Sequence, residues 1–301
     1  MSKTLLITGA HGFVAGSVIW QAGQQWEVHA LSRDQALLER AGVHWHRFDP
    51  CDRNELNRLF AEVRPDAVIH TAALAEIDFC EAHLDLARQV NVGFTQSLAD
   101  LCDEVGAKVV FCSTDSVFDG EHPPYREQDP PGPVNFYAQT KVEAEQIVAR
   151  LQTNFAIARL ALVIGLPVLG AGNSFLARMI ADLKQGREIF IPANEIRTPI
   201  DVITLGRALL ELAEENHNGI FHLAGNEALN RLEMAQRIVA RFGFSPGLIV
   251  PKKSGTLGGR APRPRDVSLD NSKARQHLKT PMRSFDEGLD LILQTRNTLA
   301  T

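Results

Sequence analysis

The chain has little of what would mark a secreted, membrane-spanning or nucleic-acid-binding protein. Its 301 residues include 4 cysteines and 2 tyrosines, and 36 acidic residues outnumber 31 Lys and Arg, giving a formal net charge of −5. Cys51, Cys80, Cys102 and Cys112 share no C-x-x-C spacing and have no histidine at ligand spacing, so neither a disulfide framework nor a zinc site is expected, and no metal. The acid excess gives non-specific nucleic-acid binding no electrostatic support. No stretch approaches the roughly 18 to 20 uninterrupted apolar residues of a membrane span, and the start lacks a signal-peptide layout. A cytoplasmic location without membrane partners is the expectation. Internal repeats and low-complexity tracts are absent as well.

What is present is an alternation. Lys3–Thr8, Val28–Leu31, Val43–Phe48, Ala67–Thr71, Lys108–Cys112 and Phe155–Leu160 read as strands, separated by amphipathic stretches that include Asp78–Val105 and Asn135–Leu151. Such alternation implies parallel strands covered by helices, an α/β fold with a Rossmann-type doubly wound sheet. Beyond about residue 165 the rhythm changes, and Asn173–Gln185, Val202–Glu214 and Leu232–Phe242 read as helices, with short strands at Ile189–Ile191 and Gly219–Leu223. The expected division is 1–165, with returning segments near 195–225, as the dinucleotide-binding domain, and 166–301 as mainly a smaller C-terminal substrate-binding lobe.

The first strand runs directly into Gly9-Ala10-His11-Gly12-Phe13-Val14-Ala15-Gly16. A strand that turns sharply into a helix brings the helix N-terminus, with unpaired N–H groups and partial positive charge, against a pyrophosphate. Glycine permits the turn and the close approach of phosphate oxygens. The second strand ends in Ser32-Arg33, where an NAD-selective site places a carboxylate. Arginine beside a hydroxyl suits a 2′-phosphate, so NADP(H) is the expected cofactor and NAD(H) the alternative.

Ser113-Thr114-Asp115 ends one strand and Tyr137-Ala138-Gln139-Thr140-Lys141 opens the next helix. Tyr and Lys four apart share a helix face, and a cation beside a phenol is expected to lower its pKa from near 10. With a Thr hydroxyl to orient an oxygen, the set can give a proton to a carbonyl while hydride moves from a nicotinamide. The loop Asp119–Val134 between them carries five prolines and two glycines and reads as a functional cover.

With these motifs the chain resembles an extended short-chain dehydrogenase/reductase. His70-Thr71-Ala72-Ala73-Leu74, Asp78 with Glu81, Val90-Asn91-Val92, Ser113 through Gly120, Pro124-Tyr125 and the Tyr137–Lys141 pair resemble, more narrowly, the dTDP-4-dehydrorhamnose reductase family over nearly the whole chain. The regulatory β subunit of methionine adenosyltransferase is similar in the same motifs. The resemblance implies Thr114, Tyr137 and Lys141 as the catalytic trio, with Asn91 propping the site. It implies that Gly9, Gly12, Phe13 and Val14 wrap the pyrophosphate, that Ala72, Ala73 and Leu74 line the nicotinamide side with Tyr137 and Lys141, and that Asp49 approaches the adenine. A nucleotide-sugar substrate would meet Thr114, Asp115, Asn173, Arg197 and Arg263, with Arg260 and Arg265 near its diphosphate. A homodimer paired through Asp78–Val105 and Asn135–Leu151 is the family-level expectation. The chain departs from the reductase pattern at Ser116, where the family has Tyr, and at Ala161-Leu162, where it has Trp. The alternatives are an epimerase or dehydratase of the same superfamily and a non-catalytic NADP-binding regulatory subunit.

Overall fold

Seven strands run parallel through the middle of the protein, in a computed structural model that describes residues 2–34, 36, 40–169, 174–252 and 260–300. In chain order the strands are β1 (Lys3–Thr8), β2 (Trp26–Ser32), β3 (Val43–Arg47), β4 (Ala67–His70), β5 (Lys108–Thr114), β6 (Phe155–Leu160), β7 (Val163–Ile164), β8 (Ile189–Pro192), β9 (Ile196–Arg197), β10 (Ile200–Asp201), β11 (Gly219–Leu223), β12 (Leu229–Asn230) and β13 (Ile249–Lys252). The helices are α1 (Phe13–Gln21), α2 (Arg53–Val63), α3 (Ile77–Ala82), α4 (Leu84–Arg88), α5 (Phe94–Val105), α6 (Phe136–Val148), α7 (Phe175–Lys184), α8 (Val202–Glu214), α9 (Arg231–Phe242), α10 (Ser272–His277) and α11 (Phe285–Ala300). The main sheet has the order β11-β6-β5-β4-β1-β2-β3, and each pairing in it is parallel. Its order reverses between β1 and β4, the crevice where such sheets receive ligands.

Each face of the sheet is covered, which is why its strands read as apolar runs rather than as clean alternation. Leu5, Ile7, Val28 and Ala30 pack with Ala15 and Val18 of α1 and Leu205 and Leu209 of α8. Leu6, Leu31, Val68 and Phe111 pack on the other face with Leu56 and Phe60 of α2, Phe94 and Leu98 of α5, and Val148 of α6. Each such fully buried side chain stabilises the fold by about 1.5–3 kcal/mol relative to exposure. A separate cluster joins α7, α9 and α11 with β8 through Leu176, Met179, Ile238, Leu289 and Ile191.

The structure corrects one expectation about helices. Asp78–Val105 is not continuous: α3 ends at Ala82, His83 leaves helical geometry at φ −136° and ψ 62°, and Gln89–Gly93 between α4 and α5 forms a π turn. Amphipathic periodicity cannot register one extra residue in a turn, whereas the structure puts it at Asn91. The Asn135–Leu151 stretch is α6, with Asn135 outside it as the N-cap, its side chain accepting from Ala138 N at 2.9 Å.

The Asp119–Val134 segment is packed rather than loose. Phe118 and Tyr125 stack at 4.1 Å, Tyr125 Oη accepts from Gly120 N and His122 N and donates to Asp119, and Tyr125 bridges Leu269. Gly120 sits at φ +88°, and a Cβ there would meet Arg265 N and Pro264 Cβ at 2.9 Å, so only glycine lets this loop lie against the 264–266 segment.

Candidate active site

The glycine turn lies at the β1/β4 switch point. Gly9 adopts φ +69°, and a Cβ there would come within 2.8 Å of Ala72 Cα, so the turn and the strand end after β4 touch backbone to backbone. Gly12 N donates to Gly9 O at 2.7 Å, and Gly12 is the N-cap of α1 without a side-chain cap, leaving first-turn N–H groups to face the crevice. Ser32 Oγ accepts from Asp34 N at 3.1 Å, and Arg33 is exposed. Asp49 lies on the same rim, where its carboxylate accepts from Cys51 N at 2.9 Å as a loop cap.

Across the crevice a chain of neutral hydrogen bonds joins four elements. Thr8 Oγ1 pairs with His70 Nδ1 at 2.7 Å, and His70 Nε2 pairs with Thr95 Oγ1 at 2.9 Å. Burial pushes the His70 imidazole down to about 3, so it stays neutral and can bridge two hydroxyls. Asn91, 1% exposed, accepts from Leu74 N at 2.8 Å and donates to Leu74 O at 3.1 Å and Thr140 Oγ1 at 3.0 Å. A π turn at such a place is a recurrent device for aiming one residue. Asn91 thereby fixes Ala72–Leu74 against α6, the helix that carries Tyr137 and Lys141.

Thr114 ends β5, where its hydroxyl donates to Asp115 Oδ1 and accepts from Ser116 N, each at 3.2 Å, and lies near enough to the Tyr137 phenol to influence its ionisation. Burial and the nearby charge of Asp115 raise the Tyr137 phenol above its usual range. That is opposite to the direction anticipated from the Tyr–Lys spacing, because desolvation and the Asp115 charge dominate at the phenol. The phenol is therefore held protonated, the form that can give up a proton. Lys141, 3% exposed, has its ammonium 4.0 Å from the Phe111 ring centre and is pushed down to about 8 by burial, with Glu145 acting against the shift. It stays mainly charged at pH 7.

Asp115 is buried beside this group. Its Oδ1 receives bonds from Thr114 and Ser116 at 3.2 Å, while Oδ2 makes no hydrogen bond and faces Arg197 Nε at 3.8 Å. Burial raises its pKa and Arg197 opposes the shift. Arg197 donates to the carbonyls of Ile196, Pro264 and Arg265 and so ties Asp115 to the 264–265 segment. Arg263 is held bidentately by Asp78 at 2.8 Å, and Arg260 approaches Glu195 at 3.9 Å. The guanidinium of Arg263 therefore anchors a segment instead of standing free for an anion. Asn173 lies outside the described residues, and its neighbour Ser174 caps α7.

Sequence reasoning missed the support beneath Lys141. Glu145, one turn further along α6, accepts from Ser113 Oγ at 2.5 Å and from Arg159 Nε and Nη2 at 3.0 and 2.8 Å, all buried. The i, i+4 spacing of Lys141 and Glu145 was the available signal. Its meaning depends on Arg159 arriving from β6.

A doubly wound parallel sheet with a glycine turn at its switch point and Thr, Tyr and Lys converging beside it is the architecture of the extended short-chain dehydrogenase/reductases. Within that class the chain belongs to the RmlD substrate binding domain family, whose model matches residues 3–298. Methionine adenosyltransferase 2 subunit beta of Bos taurus is 31% identical over 278 residues, covering 90% of this chain and 81% of that protein. The dTDP-4-dehydrorhamnose reductase of Mycobacterium tuberculosis is 29% identical over 294 residues, covering 96% and 91%. Among solved structures, dTDP-4-dehydrorhamnose reductase from Bacillus anthracis in complex with NADP superposes with a TM-score of 0.87 at 27% identity, covering 98% of this chain and 99% of that one. No helix among the described residues is long and apolar enough to cross a membrane.

Proposed function

We propose that this protein is an NADP-preferring reductase of a 4-keto-6-deoxy sugar carried on a nucleotide, of the dTDP-4-dehydrorhamnose reductase kind. The observation that carries the reading is the placing of buried Thr114, at the carboxyl end of β5, beside half-buried Tyr137, which lies one helical turn from Lys141 on α6. The cofactor fit rests on the Gly9–Gly12 turn, which has no room for side chains, on the uncapped start of α1, and on Arg33 at the end of β2. The NADP complex of the Bacillus anthracis relative supports it. Residues 1–165 with the 195–225 returns form the cofactor half in this reading, and the remainder the substrate half.

Bound NADPH supplies the hydride. Thr114 holds the ketone oxygen beside Tyr137, whose phenol donates its proton to that oxygen as negative charge builds there. Lys141 then faces a phenolate, which its ammonium stabilises. Asn91 keeps the Leu74 backbone and α6 in fixed relation. Asp115 Oδ2, buried without a hydrogen bond, accepts from a sugar hydroxyl. The homodimer belongs to the same proposal and is supported by exposed Phe79, Leu84 and Leu86 on α3 and α4. A monomer mass by light scattering removes that part.

The test is NADPH oxidation with dTDP-4-dehydrorhamnose, wild type against Tyr137→Phe. General acid catalysis contributes about 100- to 10,000-fold, so the variant is expected to lose that much turnover while binding NADPH normally. Equal turnover in the two proteins defeats the assignment, and substrate conversion without net NADPH consumption points to an epimerase or dehydratase instead. A second reading, a regulatory subunit, is favoured by the likeness to methionine adenosyltransferase 2 subunit beta and by Ser116 and Ala161 in place of aromatics. NADPH binding without oxidation across a panel of keto-sugar nucleotides, together with capture of a methionine adenosyltransferase catalytic subunit, selects it.

A further inference from the structure

Three imidazoles and a carboxylate meet at the opposite flank of the sheet, on the two outermost strands. Glu27 and His29 alternate along β2, and His44 and His46 along β3, so all four project from one face. His29 is the register partner of His44, and Leu31 of His46. Glu27, His29 and His44 each offer one ligand atom within 4.8 Å of the others, and His44 Nε2 is 3.1 Å from Glu27 Oε1. His46 Nε2 lies 2.9 Å from His29 Nδ1, and the His29 ring stacks on those of His44 and His46 at 4.9 and 5.1 Å.

This grouping is unfavourable as a set of charged side chains. Burial and the neighbouring imidazoles push His29 down to about 4, and burial lowers His46 too, while Glu27 and Glu62 of α2 pull the other way. The donor case is geometric: one atom each of Glu27, His29 and His44 already lies within 4.8 Å of the others. Neutral imidazole and carboxylate are the donor set of a borderline divalent ion such as zinc. In tetrahedral zinc sites, bonds of about 2.0–2.1 Å put neighbouring donor atoms roughly 3.3 Å apart. The observed donors need to shift by about an ångström or less to reach that spacing, on backbone already held in register.

We propose that Glu27, His29 and His44 form a structural binding site for a zinc-class divalent cation that clips β3 to β2, with His46 as the residue that orients His29. With Nδ1 of His29 engaged by His46, Nε2 is the nitrogen left to the ion, and water completes the coordination. Ligating histidines commonly use their second ring nitrogen in this way. The site stands apart from the switch-point crevice and does not depend on the reductase reading.

The experiment uses tag-free, full-length protein stripped with a chelator, equilibrated with zinc chloride, desalted and analysed for metal. One zinc per chain is expected, with a thermal midpoint raised by the ion because it binds only the folded state. His29→Gln and His44→Gln are expected to lose both effects, and Cys51→Ser to keep them. Cobalt(II) in place of zinc is expected to give the visible d–d bands of a four-coordinate nitrogen and oxygen site. His46→Ala is expected to retain one zinc with about 10- to 100-fold weaker affinity, the range for loss of an orienting partner. Far-UV circular dichroism checks that each variant is folded, and His44, being exposed, is the safest of them. No zinc uptake, or uptake equal in wild type and in folded His44→Gln, overturns the site. Wild-type affinity in His46→Ala overturns the orienting role.

Discussion

The two flanks of the central sheet handle buried polar groups in opposite ways. At the carboxyl ends of β1, β4 and β5, Thr8, His70, Thr95, Asn91 and Thr140 are joined by neutral hydrogen bonds, and the ion pair of Arg159 with Glu145 beneath α6 is bidentate and buried. At the β2–β3 edge, like groups are stacked on one another and half exposed. A satisfied network gives a single rigid arrangement, whereas a crowd of similar titratable rings stays sensitive to whatever arrives, proton or metal ion. The proton transfer proposed for Tyr137 needs the first kind of surrounding, because a proton donor displaced by a fraction of an ångström loses its partner.

Breaking the rigid flank is expected to have the largest effect. Arg159→Met leaves Glu145 buried without its cation and is predicted to cost about 3–5 kcal/mol. Urea unfolding reads the loss, and a change under 1 kcal/mol would falsify the view that this pair holds α6 to the sheet. Asn91→Ala comes next. It leaves Leu74 N–H without its partner and Leu74 C=O with the Cys80 thiol alone, with an expected cost of about 1–3 kcal/mol and a fall in turnover larger than any change in NADPH affinity. Loss of affinity alone, with turnover kept, contradicts its placement between Leu74 and α6.

The responsive flank is tested with acid. His29 and His46 have folded pKa values below the ordinary imidazole value, so the unfolded chain takes up protons first as pH falls. Their contribution to stability is present above about pH 6.5 and is lost progressively toward pH 4. His70, held down to about 3, adds to the same loss from the rigid flank. Thermal midpoints measured in chelator from pH 7.5 to 4.5 should fall less steeply in His29→Gln than in wild type. Parallel curves remove the edge cluster as a cause. The smallest expected effect lies at the end of β2, where Arg33→Ala should weaken NADPH by about tenfold, roughly 1.4 kcal/mol, and leave NADH unchanged. Calorimetric titration with each cofactor measures it.

The sheet was legible because parallel strands buried on both faces leave unbroken apolar runs, and the glycine turn because few residues tolerate φ +69° against Ala72. Tyr137 and Lys141 were legible from their spacing. Their protonation was not, since the direction of the phenol shift depends on burial and on Asp115, which arrives from another element. The same holds for Arg263, whose sequence context suggested an anion site and whose partner is Asp78, 185 positions away. Glu27-x-His29 and His44-x-His46 look like ordinary alternating residues until β2 and β3 are known to pair in register. What stayed hidden is, in each case, a relation between elements.

The long reach of those ties has a consequence for the order in which the protein matures. Asn135, which caps the helix bearing Tyr137, also donates through its side chain to Pro262 O across 127 positions, and Asp78 waits for Arg263 across 185. At about 5–20 residues per second, a ribosome that has made the cap needs roughly 6 to 25 s more to deliver Pro262. For that interval the nascent chain carries Thr114, Tyr137 and Lys141 without the 262–263 segment that ties to the cap of α6 and to Asp78. The proposed reacting groups are thus synthesised early, and the long-range ties that hold their surroundings form late.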